Sequence, residues 1–64
     1  MRVNGIDTGP AAKMTVSDLI RNSGLREDRV AVEVNGNIVP RSDYSITVLK
    51  DDDSVEIVGF VGGG

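Results

Sequence analysis

Apolar and polar residues alternate most clearly at residues 30–34, where the sequence is Val-Ala-Val-Glu-Val. This alternation is typical of a strand with one buried face, which the three valines would form. Asn35 and Gly36 follow and predict a tight hairpin turn, because both residue types tolerate positive φ. The partner strand is predicted at residues 37–39. It would end before Pro40, which has no N–H to donate to a sheet.

The segment at residues 54–61 alternates in the same way and predicts the last strand of the domain. Val55 and Ile57 would share one face of this strand. The opposite face would carry Glu56, Val58 and Phe60.

Three shorter segments predict further strands. The chain begins with a short apolar stretch that runs into Asn4 and Gly5, a second hairpin signal. Another strand is predicted over part of residues 11–14, with Pro10 at its entrance or on a sheet edge. A further strand is predicted over residues 46–49.

A helical spacing replaces the alternation after residue 14. Thr15 and Asp18 match a weak capping box, and Gly24 is a natural stop for the helix. The spacing predicts one helix of about two to three turns. Its buried stripe would consist of Val16, Leu19 and Ile20.

This order of elements predicts an α+β fold with one main helix packed on one face of a mixed sheet of four to five strands. The first and last strands can pair only in parallel, at the centre of the sheet. Residues 1–64 are expected to form a single domain, with residues 62–64 as a flexible C-terminal glycine tail.

Composition narrows the chemistry of the chain. It contains no cysteine and no histidine, which removes disulfides, the usual zinc sites, thiol nucleophiles and imidazole bases. Its 64 residues leave little room for a ligand pocket of the usual size, about 300–1,000 Å³. We therefore do not expect an enzyme, a metal site or a stably bound cofactor.

Charge and hydropathy also limit the partners. Seven basic and ten acidic residues give a net charge of −3, which disfavours nucleic acid as a partner. No apolar run approaches the length of a membrane-spanning helix, and no secretory signal follows Met1. The chain is expected to be cytoplasmic.

Several polar side chains allow two interpretations. Asp51, Asp52 and Asp53 suggest a cation site, but they lack the glycine and the distal glutamate of a calcium loop, so a solvated hairpin loop is expected. Arg41 and Glu56 could each contact a partner or lie unpartnered on the surface. Tyr44 is expected to pack against the domain with a hydrated hydroxyl group.

The C-terminal segment offers candidate chemistry. Val58 and Phe60 would lie opposite the helix and form a docking patch beside the tail. Alternatively, the strand bends at Gly59 and Phe60 packs into the core. The closing glycines could enter a narrow channel because they have no Cβ, or they could be an inert terminus.

Five segments stand in a characteristic order along the chain: Val3-Asn4-Gly5, residues 15–20, residues 32–41 ending in Val-Pro-Arg, residues 53–57, and the terminal Gly63-Gly64. Together they resemble the ThiS family of sulfur carriers from thiamin-thiazole biosynthesis, over essentially the whole chain. One departure is Gly62, where relatives often have a small residue such as alanine.

The resemblance implies a ubiquitin-like β-grasp fold and a reactive C-terminus. The Gly64 carboxylate, reached through Gly63, would be adenylated with ATP by a ThiF-type enzyme and converted to a thiocarboxylate. The sulfur would come from cysteine, through a cysteine desulfurase or a similar donor, and would pass to a ThiG-type thiazole synthase. These partners would contact Val58, Phe60, Val61 and Gly62.

Three alternatives remain open. The chain could carry sulfur for molybdopterin or another sulfurated metabolite. It could be a ubiquitin-like modifier joined to lysines of other proteins. It could also be a plain interaction module with an inert tail.

Overall fold

The computed structural model describes residues 1–60. Within that range the chain forms one α-helix, two short 3₁₀ helices and five strands. The helix α1 spans Val16–Asn22, and the 3₁₀ helices span Glu27–Arg29 and Arg41–Asp43. The strands are β1 (Arg2–Val3), β2 (Ile6–Asp7), β3 (Val30–Val34), β4 (Asn37–Val39) and β5 (Ser54–Gly59).

The five strands form one mixed sheet in the order β2-β1-β5-β3-β4. β1 and β5 are parallel, and the other neighbouring strands are antiparallel. The predicted parallel pairing of the first and last strands is therefore confirmed, and β5 lies at the centre of the sheet. One helix on one face of such a sheet is the β-grasp arrangement, so the predicted α+β fold is confirmed.

The hydrophobic core joins α1 to one face of the sheet, the inner face. The predicted helical stripe is buried, and so are the inward residues of β3 and β5, except that Val34 is partly buried. Burying these side chains supplies most of the stabilising free energy of a domain this small. The largest fully buried side chains are Val16, Ile20, Val32 and Val55.

Both ends of α1 are capped as the sequence predicts. The Thr15 hydroxyl oxygen accepts from the Asp18 N–H at 3.1 Å, and an Asp18 carboxylate oxygen accepts from the Thr15 N–H at 3.0 Å. At the other end Gly24 has φ +73°, and the Leu25 N–H donates to the Ile20 carbonyl at 3.1 Å. These bonds satisfy backbone groups that a helix end leaves unpaired.

The two Asn-Gly pairs form the predicted hairpin turns. Asn4 and Gly5 have φ values of 51° and 83°, and Asn35 and Gly36 have 53° and 82°. Positive φ at both central residues is the type I′ geometry, whose twist matches that of the adjoining strands. The first turn joins β1 to β2, and the second joins β3 to β4.

The predicted strand over residues 11–14 is wrong. Ala12 and Lys13 have φ values of 53° and 59°, which is left-handed and not extended backbone. The strand that pairs with β1 comes earlier, at Ile6–Asp7, because the Asn-Gly turn sends the chain straight back. Pro10 lies exposed in the following loop and not in a strand.

The predicted strand over residues 46–49 is also wrong. Only Val48 makes a β contact, an isolated bridge to Thr15. The segment instead holds the entrance of α1: the Val16 N–H donates to the Thr47 carbonyl at 3.0 Å, and the Leu49 N–H donates to the Met14 carbonyl at 2.8 Å. These two bonds hold the segment against the helix entrance without bringing it into the sheet.

Two polar expectations are corrected as well. Asp53 is buried and not solvated, since its carboxylate accepts from the Lys50 N–H and the Asn35 amide at 2.8 and 2.9 Å. The Tyr44 hydroxyl is buried and donates to the Val30 carbonyl at 3.2 Å, so it is not hydrated. Both side chains fix loops by replacing water with protein partners.

Candidate functional site

The candidate site begins at the C-terminal end of β5. β3 pairs with β5 over five positions, from Val34 opposite Val55 to Val30 opposite Gly59. The strand ends at Gly59 and not at Val61 as predicted, but the Phe60 N–H still donates to the Arg29 carbonyl at 2.8 Å. On this side the backbone is held as far as Phe60.

Asn4 holds the other side of β5. Its N–H donates to the Val55 carbonyl at 2.8 Å. Its side-chain amide then accepts from the Ile57 N–H at 2.7 Å and donates to the Ile57 carbonyl at 3.2 Å. The amide thus takes the place of one further peptide group and extends the parallel ladder past the end of β1. The sequence marks Asn4 only as a turn residue, and nothing local predicts this second role.

Val58 and Phe60 lie on the outer face of the sheet, opposite the helix. Their exposed fractions are 58% and 57%, whereas Val55 on the inner face is fully buried. Their predicted exposure is confirmed, and Phe60 does not fold back into the core. Ile38 on β4 shares this face and is 77% exposed. We call Ile38, Val58 and Phe60 the outer patch.

Two carboxylates lie next to the outer patch. Strand pairing places Glu33 of β3 directly opposite Glu56 of β5, and Ile38 opposite Glu33 on the other side. Glu56 is exposed and Glu33 is half-buried. The outer face therefore presents an anionic pair beside apolar surface, and this surface continues to Phe60 at the root of the tail.

The remaining predicted site residues are Val61, Gly62, Gly63 and Gly64, and all four lie outside the described residues. Arg41 is exposed in its 3₁₀ helix. Among residues 1–60 the ion pairs are Arg21–Asp18 and Arg26–Asp28, so Arg41 has no carboxylate partner in that range.

The opposite end of the sheet does not offer an alternative site. A shallow depression of about 170 Å³ lies there, lined by Met1, Arg2, Asp7 and Asp51–Asp53. It is smaller than an ordinary ligand pocket of about 300–1,000 Å³. Residues 1–60 contain no cluster of acidic side chains arranged to bind a metal ion. Within the same range, no helix has the length and apolar character needed to cross a bilayer.

The fold and this surface define a small ubiquitin-like domain with an exposed apolar patch near the end of its last strand, and the glycines at positions 62–64 follow that strand in the sequence. Comparison with known proteins identifies the family of this domain. The model of the ThiS family matches residues 3–64, which includes the glycine tail. The chain belongs to the ThiS family.

Individual relatives agree with this assignment. The sulfur carrier protein ThiS of Bacillus subtilis is 41% identical over 58 residues, which is 91% of this chain and 80% of the relative. The crystal structure of the thiamine biosynthesis protein ThiS from Geobacter metallireducens superposes with a TM-score of 0.79 at 35% identity, covering 98% of this chain and 96% of the other.

A longer relative matches over a part of its length. A thiazole synthase of Paramagnetospirillum magneticum is 44% identical over 62 residues, which is 97% of this chain. The chain spans only 19% of that relative's length. A domain similar to this one is thus contained within a protein named thiazole synthase.

Proposed function

We propose that the chain carries sulfur on the carboxyl group of Gly64 and delivers it for the thiazole ring of thiamin. A ThiF-type enzyme in the cytoplasm would adenylate the tail with ATP, and a cysteine desulfurase or similar donor would supply the sulfur. A ThiG-type thiazole synthase would receive it. The matches to the Bacillus sulfur carrier and to a thiazole synthase support this pathway.

One observation supports this proposal most directly. The strand β5 is hydrogen-bonded on both sides as far as Ile57, and its exposed residues Val58 and Phe60 lie shortly before the glycine tail in the sequence. A rigid strand beside an apolar patch gives an activating enzyme a fixed surface to bind. From that surface the three glycines could reach at most about 10 Å further. In this proposal Val58, Phe60, Val61 and Gly62 bind the partner, and Gly63 and Gly64 enter its active site.

The chemistry requires activation because a C-terminal carboxyl group has an ordinary pKa of about 3.3–3.7 and is a carboxylate at neutral pH. A carboxylate is a poor electrophile. Its oxygen would attack the α-phosphate of ATP, release pyrophosphate and form an acyl-adenylate. A sulfur nucleophile would then attack the acyl carbon and displace AMP. Because the chain contains no cysteine, it has no thiol of its own that could carry the sulfur.

Intact-mass spectrometry of the protein purified from its own cells tests the proposal. We expect a fraction of the chain to show the mass gain of one oxygen exchanged for sulfur, located at Gly64 by fragmentation. Deleting Gly63 and Gly64 should remove this species. The control Asp52→Asn changes an exposed loop residue away from the tail, keeps the terminal carboxylate and should retain it.

Other results would select other functions. Conjugates linked to lysines of other proteins would indicate a ubiquitin-like modifier. A thiocarboxylate that supports molybdopterin formation but not thiazole formation would indicate the other carrier pathway. An unmodified tail in the presence of ATP and the activating enzyme would contradict both the carrier and the modifier.

A further inference from the structure

The backbone of β1 leaves β5 well before the last strand ends. The paired register of the two strands stops at Val3 opposite Val55, and the Asn-Gly turn then takes the chain away into β2. Within residues 1–60, no further strand backbone pairs with this edge of β5. A strand end that is bonded on one edge only opens more readily than one that is bonded on both.

The side chain of Asn4 pairs with this edge in place of a strand. Its amide oxygen accepts from the Ile57 N–H at 2.7 Å, and its amide nitrogen donates to the Ile57 carbonyl at 3.2 Å. A carboxamide offers the same donor and acceptor as a peptide group, so both backbone groups of Ile57 are bonded as in a ladder. In the described part of the chain, this is the point nearest the C-terminus at which β5 is bonded on both edges.

The contact lies three residues before the end of the described chain. On the opposite edge of β5, the Phe60 N–H donates to the Arg29 carbonyl at 2.8 Å. Because the two contacts hold opposite edges of one strand end, together they fix the direction of the backbone from Ile57 to Phe60. Val61 and the glycines at positions 62–64 follow in the sequence.

From this arrangement we infer that Asn4 is a positioning residue for the modification of the Gly64 carboxylate. By holding Ile57, its amide keeps the end of β5 in one direction before the enzyme binds. The inference rests on the proposed function, in which an adenylating enzyme binds the folded domain and takes up the glycines. A preformed direction reduces the conformational entropy that the complex must remove, and such preorganisation tightens binding.

The other Asn-Gly turn provides a matched control in the same strand. The Asn35 N–H donates to the Ser54 carbonyl at 2.8 Å, and its side-chain oxygen accepts from the Ser54 N–H at 2.9 Å. Asn35 thus extends the ladder between β3 and β5 as Asn4 extends the one between β1 and β5. Ser54 is the first residue of β5, however, and lies at the opposite end of the strand from the glycines.

The experiment follows ATP–pyrophosphate exchange by a ThiF-type enzyme while the concentration of the full-length chain is varied. Asn4→Gly keeps the positive φ but removes the amide. We expect the KM for the chain to rise roughly tenfold, the cost of ordering about one backbone residue, with kcat nearly unchanged. Asn35→Gly should keep the KM within about twofold of the native value. Urea denaturation gives the folded fraction of each variant, and rates are compared per folded molecule.

Asn4→Asp separates the two hydrogen bonds. Aspartate also tolerates positive φ and keeps an acceptor for the Ile57 N–H, but its carboxylate cannot donate to the Ile57 carbonyl. We expect its KM to lie between those of the native chain and Asn4→Gly, with amide hydrogen exchange at Ile57 in the same order. Asn4 is exposed, so water can replace the lost bonds and neither variant should prevent folding.

Three results would overturn the inference. The first is a native KM in Asn4→Gly, and the second is an equal rise in Asn35→Gly, which would indicate a general loss of stability. The third is a set of KM values that does not follow the order of hydrogen exchange at Ile57. The proposed function fails in a different way: if the native chain supports no ATP–pyrophosphate exchange, adenylation of the tail is disproved and the inference falls with it.

Discussion

The two faces of β5 carry similar side chains with opposite fates. Val55 faces α1 and is fully buried, whereas Val58, three residues later, faces outward and is 58% exposed. Side-chain type does not explain the difference, because both residues are valine. The helix covers one face only. Apolar side chains on the covered face stabilise the fold because they leave water. Those on the open face stay in contact with water in the folded protein, so they add little to stability and are available to a partner.

The sharpest test of this comparison uses the same substitution on both faces. Val55→Ala should lower the free energy of unfolding by about 1.5–3 kcal/mol, because it removes buried methyl groups and leaves a cavity. Val58→Ala should change it by no more than about 0.5 kcal/mol. Urea denaturation of the two variants measures both values. Equal losses would mean that the outer face is covered in the free protein.

The next test concerns the ladder that holds β5 in place. Asn4→Gly keeps the positive φ but removes the amide that bonds to both backbone groups of Ile57. We expect a loss of about 1–2 kcal/mol and faster hydrogen exchange at the Ile57 amide. Asn35→Gly is the control, because it also lies at positive φ but bonds to Asp53 and Ser54. If exchange at Ile57 rises equally in both variants, Asn4 does not hold this strand end.

The helix α1 covers the inner face, and the contribution of its N-terminal cap to stability can be tested by varying the pH. The hydrogen bond from the Thr15 N–H, and then the one from Arg21, hold the pKa of Asp18 below its ordinary value of 3.8. A lowered folded-state pKa contributes stability that is fully present above the unfolded value and is lost as pH falls through the folded one. Asp18→Asn should therefore be less stable at neutral pH and lose less stability between about pH 4 and pH 2.

Thermal melts over this pH range measure the difference. Arg21→Gln serves as the comparison, since it keeps the larger contribution from the Thr15 N–H. It should change the acid sensitivity less than Asp18→Asn does. An unchanged acid response in Asp18→Asn would show that the capping box does not contribute to the pH dependence.

The smallest effect is expected at Gly59. Its φ is not positive, and a Cβ atom there would meet no atom within 4 Å. Gly59→Ala should raise the free energy of unfolding by up to about 0.5–1 kcal/mol, because alanine loses less conformational freedom in a strand. Urea denaturation measures this change. A loss of stability would contradict the open space around Gly59 and its ordinary backbone conformation.

Much of the fold could be predicted because its signals are local. Alternation placed β3 and β5, the turn before β4 and the proline after it placed β4, and helical spacing with the capping residues placed α1. The two Asn-Gly pairs predicted both hairpin turns. In each case neighbouring residues set the backbone geometry or the buried face.

The two wrong strand predictions have the opposite cause. Ala12 and Lys13 adopt positive φ, which neither residue type favours, because the surrounding loop imposes it. Residues 46–49 have the composition of a strand, yet their hydrogen bonds go to the helix entrance. Such choices depend on contacts far along the chain, and no local pattern encodes them.

The sequence by itself determined α1, the strands β3 to β5, the two faces of β5 and the glycine end, because these follow from side-chain periodicity and residue type. Only the tertiary structure decided that Asn4 reaches Ile57, 53 residues away, and that Glu33 meets Glu56. Both contacts depend on strand register. Register is fixed by the packing of the whole sheet against one helix, and no single segment contains that information.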